Sequence, residues 1–506
     1  MNKIKEKLNK INLKYLHIAV IILGIIFISL TIFHTNMWFD ESYSVGIARH
    51  SFTEIWQISS NDVHPIFYYY CLHILYLIFG SNVMVYRMFS AACIALLGII
   101  GYTHIRKDFG EKIGILFSFL TLFLPVSAQF AGEIRMYALG MLLGTIMAIY
   151  AYRIYQSKIT RAGYIFFGLS SILVAYTHYY GLMIAGIINL LLLIYLIKNR
   201  KERKQDLIIF LVIAVMQVAL YLPWLISFIS NLKGTGFWIT LTFPGTIYDI
   251  LTIHYAGNLS FQPIILSTAF YAYVVYLFYQ TKKNEREPAN WCFMIYIAVI
   301  IIALIISLCL HSVILLNRYL LIVTGLLIFG LSFFMAKDTK KWRVITVCAT
   351  ILILSTASNI ITIKENYNKN NRDFMSYLDE NIEADDIIVY SNAINGEVIT
   401  TEIAQNHENI SYFYNKEKWG VQEAYKAFGP YMEIKDTLPE ILDNYTGRIW
   451  LVESGNTHEL LEEISDKYQI TKIENKQFKN KYKNYEYTIE LIEKNDTIHS
   501  RVNYFD

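Results

Sequence analysis

The sequence predicts a polytopic α-helical membrane protein with about 11 transmembrane helices and a C-terminal soluble α/β domain. Of the 506 residues, 55% are hydrophobic and the mean hydropathy is +0.36, whereas soluble globular chains contain about 45–50% apolar residues. The excess lies before residue 363, in long uncharged runs. A bilayer span takes roughly 20 such residues. The predicted spans lie at 15–33, 85–105, 113–130, 136–152, 163–177, 181–197, 207–229, 263–280, 291–310, 314–336 and 344–363.

In the N-terminal segment and the loops between these spans, lysine and arginine residues lie almost entirely on one side. If the N-terminus is cytoplasmic, the inside segments carry 23 of them and the outside loops only 4, or 5 with Arg87. Cytoplasmic loops of membrane proteins are enriched in these residues, so the bias orients the chain. An odd number of spans then places the C-terminal domain outside. The first run lacks a signal-peptide cleavage site, and we expect it to remain as an anchor of this multi-pass cell-membrane protein.

Charge, cysteines and motifs exclude several functions. The net charge of +3 is explained by the inside loops and gives no reason to expect nucleic-acid binding. The five cysteines lie in or beside apolar segments without a CxxC spacing, so neither a disulfide framework nor a zinc cluster is expected. The sequence contains no Walker A, G-x-S-x-G, H-E-x-x-H or dinucleotide glycine pattern. Nucleotide-dependent phosphoryl transfer and serine or zinc hydrolysis therefore lack support.

The predicted organisation has two parts, a transmembrane domain at 1–363 and an extracytoplasmic α/β domain at 364–506. Two outside loops are long, at 36–84 and 231–262. Within the first loop, the aromatic stretch 66–79 is too short to span comfortably, and we predict an interfacial helix there. The alternative, a short extra span, would invert everything downstream and destroy the charge bias.

The C-terminal domain shows alternating strand and helix patterns and is long enough for one independent core. The predicted strands lie at 386–390, 448–452 and 485–491, and the predicted helices at 397–408 and 457–467.

Two adjacent carboxylates, Asp40 and Glu41, follow the first predicted span. Carboxylates near hydrocarbon are costly, and at bilayer edges they usually face a cavity or pair with cations. A solvated loop start is the ordinary alternative. Further along the same loop, Asp62 and His64 precede Pro65, which suits the first turn of the interfacial helix. For His64 a helix cap is the ordinary alternative.

Charged residues also occur at two later outside boundaries. Glu133 and Arg135 precede Tyr137 in the short second outside loop, and Arg318 lies near the outside end of the tenth predicted span. A local ion pair and a snorkelling anchor are the alternatives. Taken together, however, several acids, a histidine and two arginines map to one membrane face that otherwise carries few basic residues.

This set of side chains suits transfer of a sugar from a lipid-linked phosphate. Arginine binds phosphate through a bidentate fork, and the phosphate is already a good leaving group. An acceptor hydroxyl or amine needs a general base, which a carboxylate can supply. A second acid can orient the acceptor or help to bind a divalent metal.

At these residues the chain resembles the GT-C superfamily of membrane glycosyltransferases. It is most similar to the branch that contains protein O-mannosyltransferases and the lipid A aminoarabinose transferase. The resemblance is strong over 36–140 and weak afterwards. Its motifs are Asp40-Glu41, Asp62-x-His64-Pro65, Tyr86-Arg87-Met88-Phe89-Ser90, Glu133-x-Arg135-Met136-Tyr137-Ala138-Leu139 and Arg318-Tyr319-Leu320.

The resemblance implies a polyprenyl-phosphate-sugar donor, an inverting transfer and an active site facing away from the cytoplasm. Asp40 corresponds to the base or acceptor-orienting residue. The implied groups are the catalytic acids Asp40, Glu41 and Glu133; the donor-phosphate ligands Arg135, Arg318 and Tyr137; and the supporting residues Asp62 and His64.

The sequence differs from the superfamily at the first loop, where two prolines usually follow the histidine and only Pro65 is present here. No cofactor is required, and a divalent cation, with Asp40 and Glu133 as candidate ligands, is left open. The expected partners are the lipid-linked donor, the bilayer and an extracytoplasmic acceptor, with no nucleic acid. Hexosyl and pentosyl transfer, and protein, lipid and glycan acceptors, all stay open.

Two other functions compete with this prediction. A transporter or flippase of lipid-linked sugars should show ionisable residues near mid-bilayer and repeated broken helices. Here the notable acids lie at one face, and no internal repeat is evident. A catalytically inactive membrane scaffold is the other alternative, against which the intact acids argue.

Overall fold

The structure is a computed structural model. It describes residues 12–62, 64–231, 263–310, 314–367, 373–391, 409–414, 426–443, 445–454, 458–480 and 485–494, with the isolated positions 248, 250 and 252. The predicted helix at 397–408 and most of the long loop 231–262 lie outside these residues.

Helices dominate the part of the chain that was predicted to span the membrane. The helices of the described residues are α1 (Leu13–Ser29), α2 (Phe39–Ala48), α3 (Phe52–Ser60), α4 (Phe67–Phe79), α5 (Val83–Phe109), α6 (Glu111–Phe123), α7 (Pro125–Ala131), α8 (Tyr137–Tyr155), α9 (Arg161–Ala175), α10 (Tyr179–Lys198), α11 (Lys204–Asn231), α12 (Pro263–Gln280), α13 (Glu287–Leu310), α14 (Asn317–Lys337), α15 (Lys341–Asn366), α16 (Asp373–Asn381), α17 (Pro439–Leu442) and α18 (Glu459–Ser465).

The polytopic helical fold is confirmed, and each predicted apolar run coincides with a helix or a bent helix pair. Among the described residues, seven helices are long and apolar enough to cross a membrane, namely α5, α8, α10, α11, α13, α14 and α15. Helices α6 and α7 form a pair bent by 58° that counts as an eighth span if taken together. Pro125 begins α7 and forces Leu124 into an extended conformation, which explains the bend. The remaining runs form the shorter apolar helices α1, α9 and α12.

Helices α8 and α14 pack side by side in the same direction. Tyr137 meets Tyr319 near their N-terminal ends, with ring centroids 6.2 Å apart. Further along, α14 approaches Gly144 so closely that a Cβ added at this glycine would lie 3.2 Å from the carbonyl oxygen of Ile322. Small residues at such contacts let membrane helices approach closely. The two helices therefore begin at the same end of the bundle.

The C-terminal region forms a sheet whose strands are β1 (Ile387–Ser391), β2 (Ser411–Tyr414), β3 (Glu433–Lys435), β4 (Arg448–Ser454), β5 (Ile470–Asn480) and β6 (Tyr485–Lys494). Their order is β3-β2-β1-β4-β6-β5, with the first four parallel and the last two antiparallel to their neighbours. Strand β1 is buried throughout, as expected for an inner parallel strand. The three predicted strands and the predicted helix at 457–467, observed as α18, are confirmed.

The chain divides into two compact units. The first contains Met1–Phe33, Val63–Tyr68 and Met84–Ile363, and the second contains His34–Asp62, Tyr69–Val83 and Lys364–Asp506. Most of the first long loop thus groups with the sheet domain, although the sequence analysis had counted that loop with the transmembrane part. The predicted helix at 66–79 is observed as α4, and its depth in the bilayer stays a prediction.

Helix α4 starts slightly later than expected, because Pro65 precedes its first turn. The backbone N–H of Phe67 donates to the carbonyl of Tyr176, 2.9 Å away, rather than to a residue of the same loop. This contact fixes where the helix begins.

Within the second unit, helix α2 packs against the short 3₁₀ turn Lys426–Phe428. The ring of Phe428 lies 5.8 Å from that of Phe39 and 6.0 Å from that of Tyr43. A Cβ added at Gly46 would lie 2.7 Å from the carbonyl oxygen of Ala427. Glycine at this position therefore permits the close approach of the helix to the turn.

Candidate active site

Asp40 and Glu41 lie in the first turn of α2, but they have different surroundings. The Glu41 side chain is fully buried, and its carboxylate accepts a hydrogen bond from the backbone N–H of Trp38 at 3.3 Å. Asp40 is only partly buried. The positive end of a helix dipole stabilises ionised carboxylates at such positions. Glu41 thus contributes to the start of the helix, whereas Asp40 keeps part of its surface exposed.

Asp62 also belongs to the second unit. It follows α3 and is partly buried, and its backbone N–H donates to the carbonyl of Ser59 at 3.1 Å. Asp40, Glu41 and Asp62 are therefore held by the second unit, whereas the other predicted site residues belong to the first.

The turn between α7 and α8 carries Glu133 and Arg135. Arg87, which is 1% exposed, reaches this turn from α5 and donates a hydrogen bond to the carbonyl of Gly132. Glu133 is partly buried, and Arg135 is 3% exposed. Arg87 entered the sequence analysis only through the charge count and a motif. Its position explains why an arginine occurs inside an apolar helix, since it holds the turn that presents the two charged residues.

A cluster of rings in the first unit brings together three predicted or motif residues and two others. His178 lies 4.9 Å from Tyr319, 5.5 Å from His64 and 6.0 Å from Tyr137, measured between ring centroids. The ring of Tyr180 lies 5.6 Å from that of His178. We call His64, Tyr137, His178, Tyr180 and Tyr319 the ring cluster.

Three helices begin at the ring cluster. Tyr137 is the first residue of α8, His178 is the N-cap of α10, and Arg318 is the second residue of α14. The N-terminal end of a helix carries partial positive charge and backbone N–H groups that favour an anion. Three such ends at one place favour a negatively charged ligand there.

Two guanidinium groups add full positive charge to the cluster. The Arg318 guanidinium carbon lies 5.6 Å from the ring centre of Tyr319. Burial, and then the charges of Arg135 and Arg318, lower the pKa of His178 to about 3. The imidazole is therefore neutral at physiological pH, and the positive charge here comes from the arginines.

The sequence analysis missed His178 and Tyr180. Both lie in or beside the short turn between α9 and α10, at the edge of two predicted spans. The available signal was a histidine at the same predicted membrane face as Glu133, Arg135 and Arg318. Ionisable residues at such boundaries are functional candidates by default.

A metal site gains no support from the described residues. Among them, no group of three or more His, Cys, Asp or Glu side chains could hold an ion. The two candidate ligands, Asp40 and Glu133, belong to different units.

Comparison with known proteins identifies the fold. No protein-family model and no curated protein matches the sequence. Among solved structures, ArnT from Cupriavidus metallidurans in the apo state matches with a TM-score of 0.62 and 10% identity, over 94% of this chain and 97% of that one. The same protein bound to undecaprenyl phosphate matches with a TM-score of 0.57 and 12% identity, with the same coverage.

This chain has the fold of ArnT. ArnT is the lipid A aminoarabinose transferase, a GT-C glycosyltransferase, so the GT-C-like fold predicted from the motifs is confirmed. The match extends over the membrane helices and the C-terminal region alike. At 10–12% identity the match concerns the architecture alone.

Proposed function

We propose that the protein is an inverting glycosyltransferase that moves a sugar from a polyprenyl-phosphate donor to an extracytoplasmic acceptor. The observation that carries this proposal is the convergence of three helix N-termini and two arginines on the ring cluster. That arrangement suits a phosphate at the membrane surface. The fold adds support, because ArnT has been crystallised with undecaprenyl phosphate.

The donor phosphate is the natural ligand for the arginines. Arg135 and Arg318 neutralise the phosphodiester and stabilise the charge that develops on the polyprenyl phosphate as the bond to the sugar breaks. Because a phosphate is a good leaving group once its charge is balanced, no general acid is needed. Tyr137, at the start of α8, is proposed as a third ligand of the phosphate, beside the two arginines.

The acceptor is activated by Asp40 in this proposal. Its carboxylate takes the proton from the acceptor hydroxyl or amine, whose oxygen or nitrogen forms the new bond to the anomeric carbon as the phosphate leaves. Attack from the face opposite the phosphate inverts the configuration at that carbon. Glu41 keeps the first turn of α2 in place, and Glu133 is proposed to orient the acceptor.

Binding of the donor phosphate gives the first test. Polyprenyl phosphate should bind to the purified protein in nanodiscs, and Arg318→Ala should weaken binding about 10-fold to 100-fold. Hydrogen bonds to charged groups contribute about 1.5–3 kcal/mol, and 1.4 kcal/mol corresponds to tenfold. Arg200, which is exposed beyond the other end of α10, provides the control variant Arg200→Ala. Equal affinities for the two variants would remove the phosphate assignment.

Transport of an intact lipid-linked sugar is the competing function. It predicts movement of the donor across a vesicle membrane without cleavage of the bond between sugar and phosphate. Sugar appearing in a new covalent product, with release of polyprenyl phosphate, excludes it as the main activity.

A further inference from the structure

His178 belongs to the ring cluster, and the sequence analysis assigned it no role. It is 3% exposed and lies immediately before α10, with an extended backbone conformation. Its imidazole has two nitrogens with different partners, and these partners determine which nitrogen carries the proton.

The Nδ1 atom of His178 accepts a hydrogen bond from the backbone N–H of Tyr180 at 3.1 Å. A backbone N–H can only donate, so Nδ1 must be the nitrogen without a proton. The neutral ring therefore carries its proton on Nε2. This contact also caps α10, because it satisfies one of the N–H groups left over at a helix start.

Within the described residues, the Nε2 atom of His178 is buried and has no hydrogen-bond partner. A buried donor without an acceptor is unfavourable, so such a group calls for a ligand. The groups that face the ring are the guanidiniums of Arg135 and Arg318 and the rings of His64, Tyr137, Tyr180 and Tyr319. Two positive charges favour an anionic oxygen over a cation or a neutral acceptor.

We propose that the Nε2–H group of His178 donates a hydrogen bond to a phosphate oxygen of a ligand that Arg135 and Arg318 bind through its charge. This inference rests on the proposed function, which identifies that phosphate as part of a polyprenyl-phosphate donor. The neutral histidine adds a directional donor without a third positive charge. Because it does not titrate near neutrality, it keeps this role across the physiological pH range.

Two substitutions separate the roles of the two nitrogens. His178→Asn keeps an acceptor oxygen near the position of Nδ1, and asparagine is a favourable N-cap, but it removes the donor at Nε2. His178→Gln places an amide near the position of Nε2 and removes the cap. The first variant should therefore fold like the wild type and bind phosphate weakly. The second should melt at a lower temperature and retain most of the affinity.

The experiment measures the Kd of polyprenyl phosphate for the full-length protein in nanodiscs, with melting temperatures alongside. We expect about a tenfold increase for His178→Asn, equivalent to about 1.4 kcal/mol, and less than about threefold for His178→Gln. Competition by inorganic phosphate is the second arm. Since the contact is to the phosphate group, His178→Asn should weaken the competing phosphate by a similar factor.

Three results would overturn the inference. One is unchanged affinity in His178→Asn while Arg318→Ala still weakens binding, which contradicts the histidine contact alone. Another is weakened binding of polyprenyl phosphate with unchanged competition by inorganic phosphate, which places the contact on the polyprenyl chain rather than on the phosphate. The third is a wild type that binds neither ligand, which rejects the proposed function together with this inference.

Discussion

Replacing Phe428 by alanine tests whether the C-terminal region holds helix α2, and with it Asp40, in position. Phe428 is fully buried and packs against Phe39 and Tyr43 of that helix. Truncating a buried phenylalanine to alanine costs about 3–5 kcal/mol. In a unit of 150–250 residues, 1 kcal/mol shifts the melting temperature by about 2–4 °C. We therefore expect the second unit to melt about 6–20 °C lower.

Hydrogen exchange of the full-length protein distinguishes a local effect from general destabilisation. Phe428→Ala should increase exchange in the peptide covering α2 and reduce sugar transfer. The matched control is Leu442→Ala, which removes a fully buried side chain from the sheet core of the same unit. A large-to-small change there costs a similar 2–5 kcal/mol, but Leu442 is not part of the contact with α2.

The comparison between the two variants decides the matter. If Phe428→Ala and Leu442→Ala increase exchange in α2 to the same extent, the contact with Phe428 has no specific role in positioning that helix. Gly46→Ala adds a check from the other partner, because the new Cβ would meet the carbonyl of Ala427. It should disturb α2 in the same direction as Phe428→Ala.

Three further predictions concern single buried groups. Arg87→Met should lower the melting temperature and weaken polyprenyl-phosphate binding, because the carbonyl of Gly132 loses its donor; unchanged values would show that the turn does not depend on Arg87. Burial raises the pKa of Glu453, so the folded state binds the proton more tightly and stability falls as pH rises through the interval between the two pKa values. Glu453→Gln should therefore raise the melting temperature at pH 7 and flatten its pH dependence, and an unchanged slope would contradict this. Trp450→Phe removes a 2.7 Å hydrogen bond to the buried carboxylate of Asp386 and should cost about 1.5–3 kcal/mol in denaturant unfolding, whereas a loss below about 0.5 kcal/mol would show that the bond is dispensable.

The helical part of the fold could be predicted because length and hydrophobicity determine which runs can span a bilayer. The inner strands of the sheet could be predicted from the sequence for a related reason. Ile387 and Ile449 are buried and belong to inner strands, whose residues on both faces of the sheet are covered and therefore occur in continuous apolar runs. The bend between α6 and α7 could also have been predicted from Pro125, although the sequence analysis counted 113–130 as a single span.

Long-range contacts could not be predicted in the same way. Nothing in the sequence around Phe428 indicates that this side chain packs against α2. The assignment of Asp40 and Asp62 to the second unit likewise depends on contacts between distant parts of the chain.

The candidate site was predicted only in part. Glu133, Arg135 and Arg318 were recognisable because charged residues are rare beside apolar runs. The different surroundings of Asp40 and Glu41 could not be predicted, since adjacent carboxylates look alike in a sequence and only the structure shows the hydrogen bond from Trp38 to Glu41. His178 was missed because its importance comes from its neighbours in space, and none of the arginines beside it is near it in sequence.

Transfer of labelled sugar is the most direct test of the central claim. The purified protein in nanodiscs would receive a polyprenyl-phosphate-linked sugar and a membrane extract as the source of acceptor, and the label and the anomeric configuration of the product would be followed. Removing a general base typically costs 10²–10⁴-fold in rate, so Asp40→Asn should lose about 100-fold or more. The matched control, Asp466→Asn, changes an exposed aspartate and should behave like the wild type. Inverted product from the wild type and its loss in Asp40→Asn at unchanged melting temperature are the predicted results; full activity in Asp40→Asn, or passage of the lipid-linked sugar without cleavage, would contradict the account.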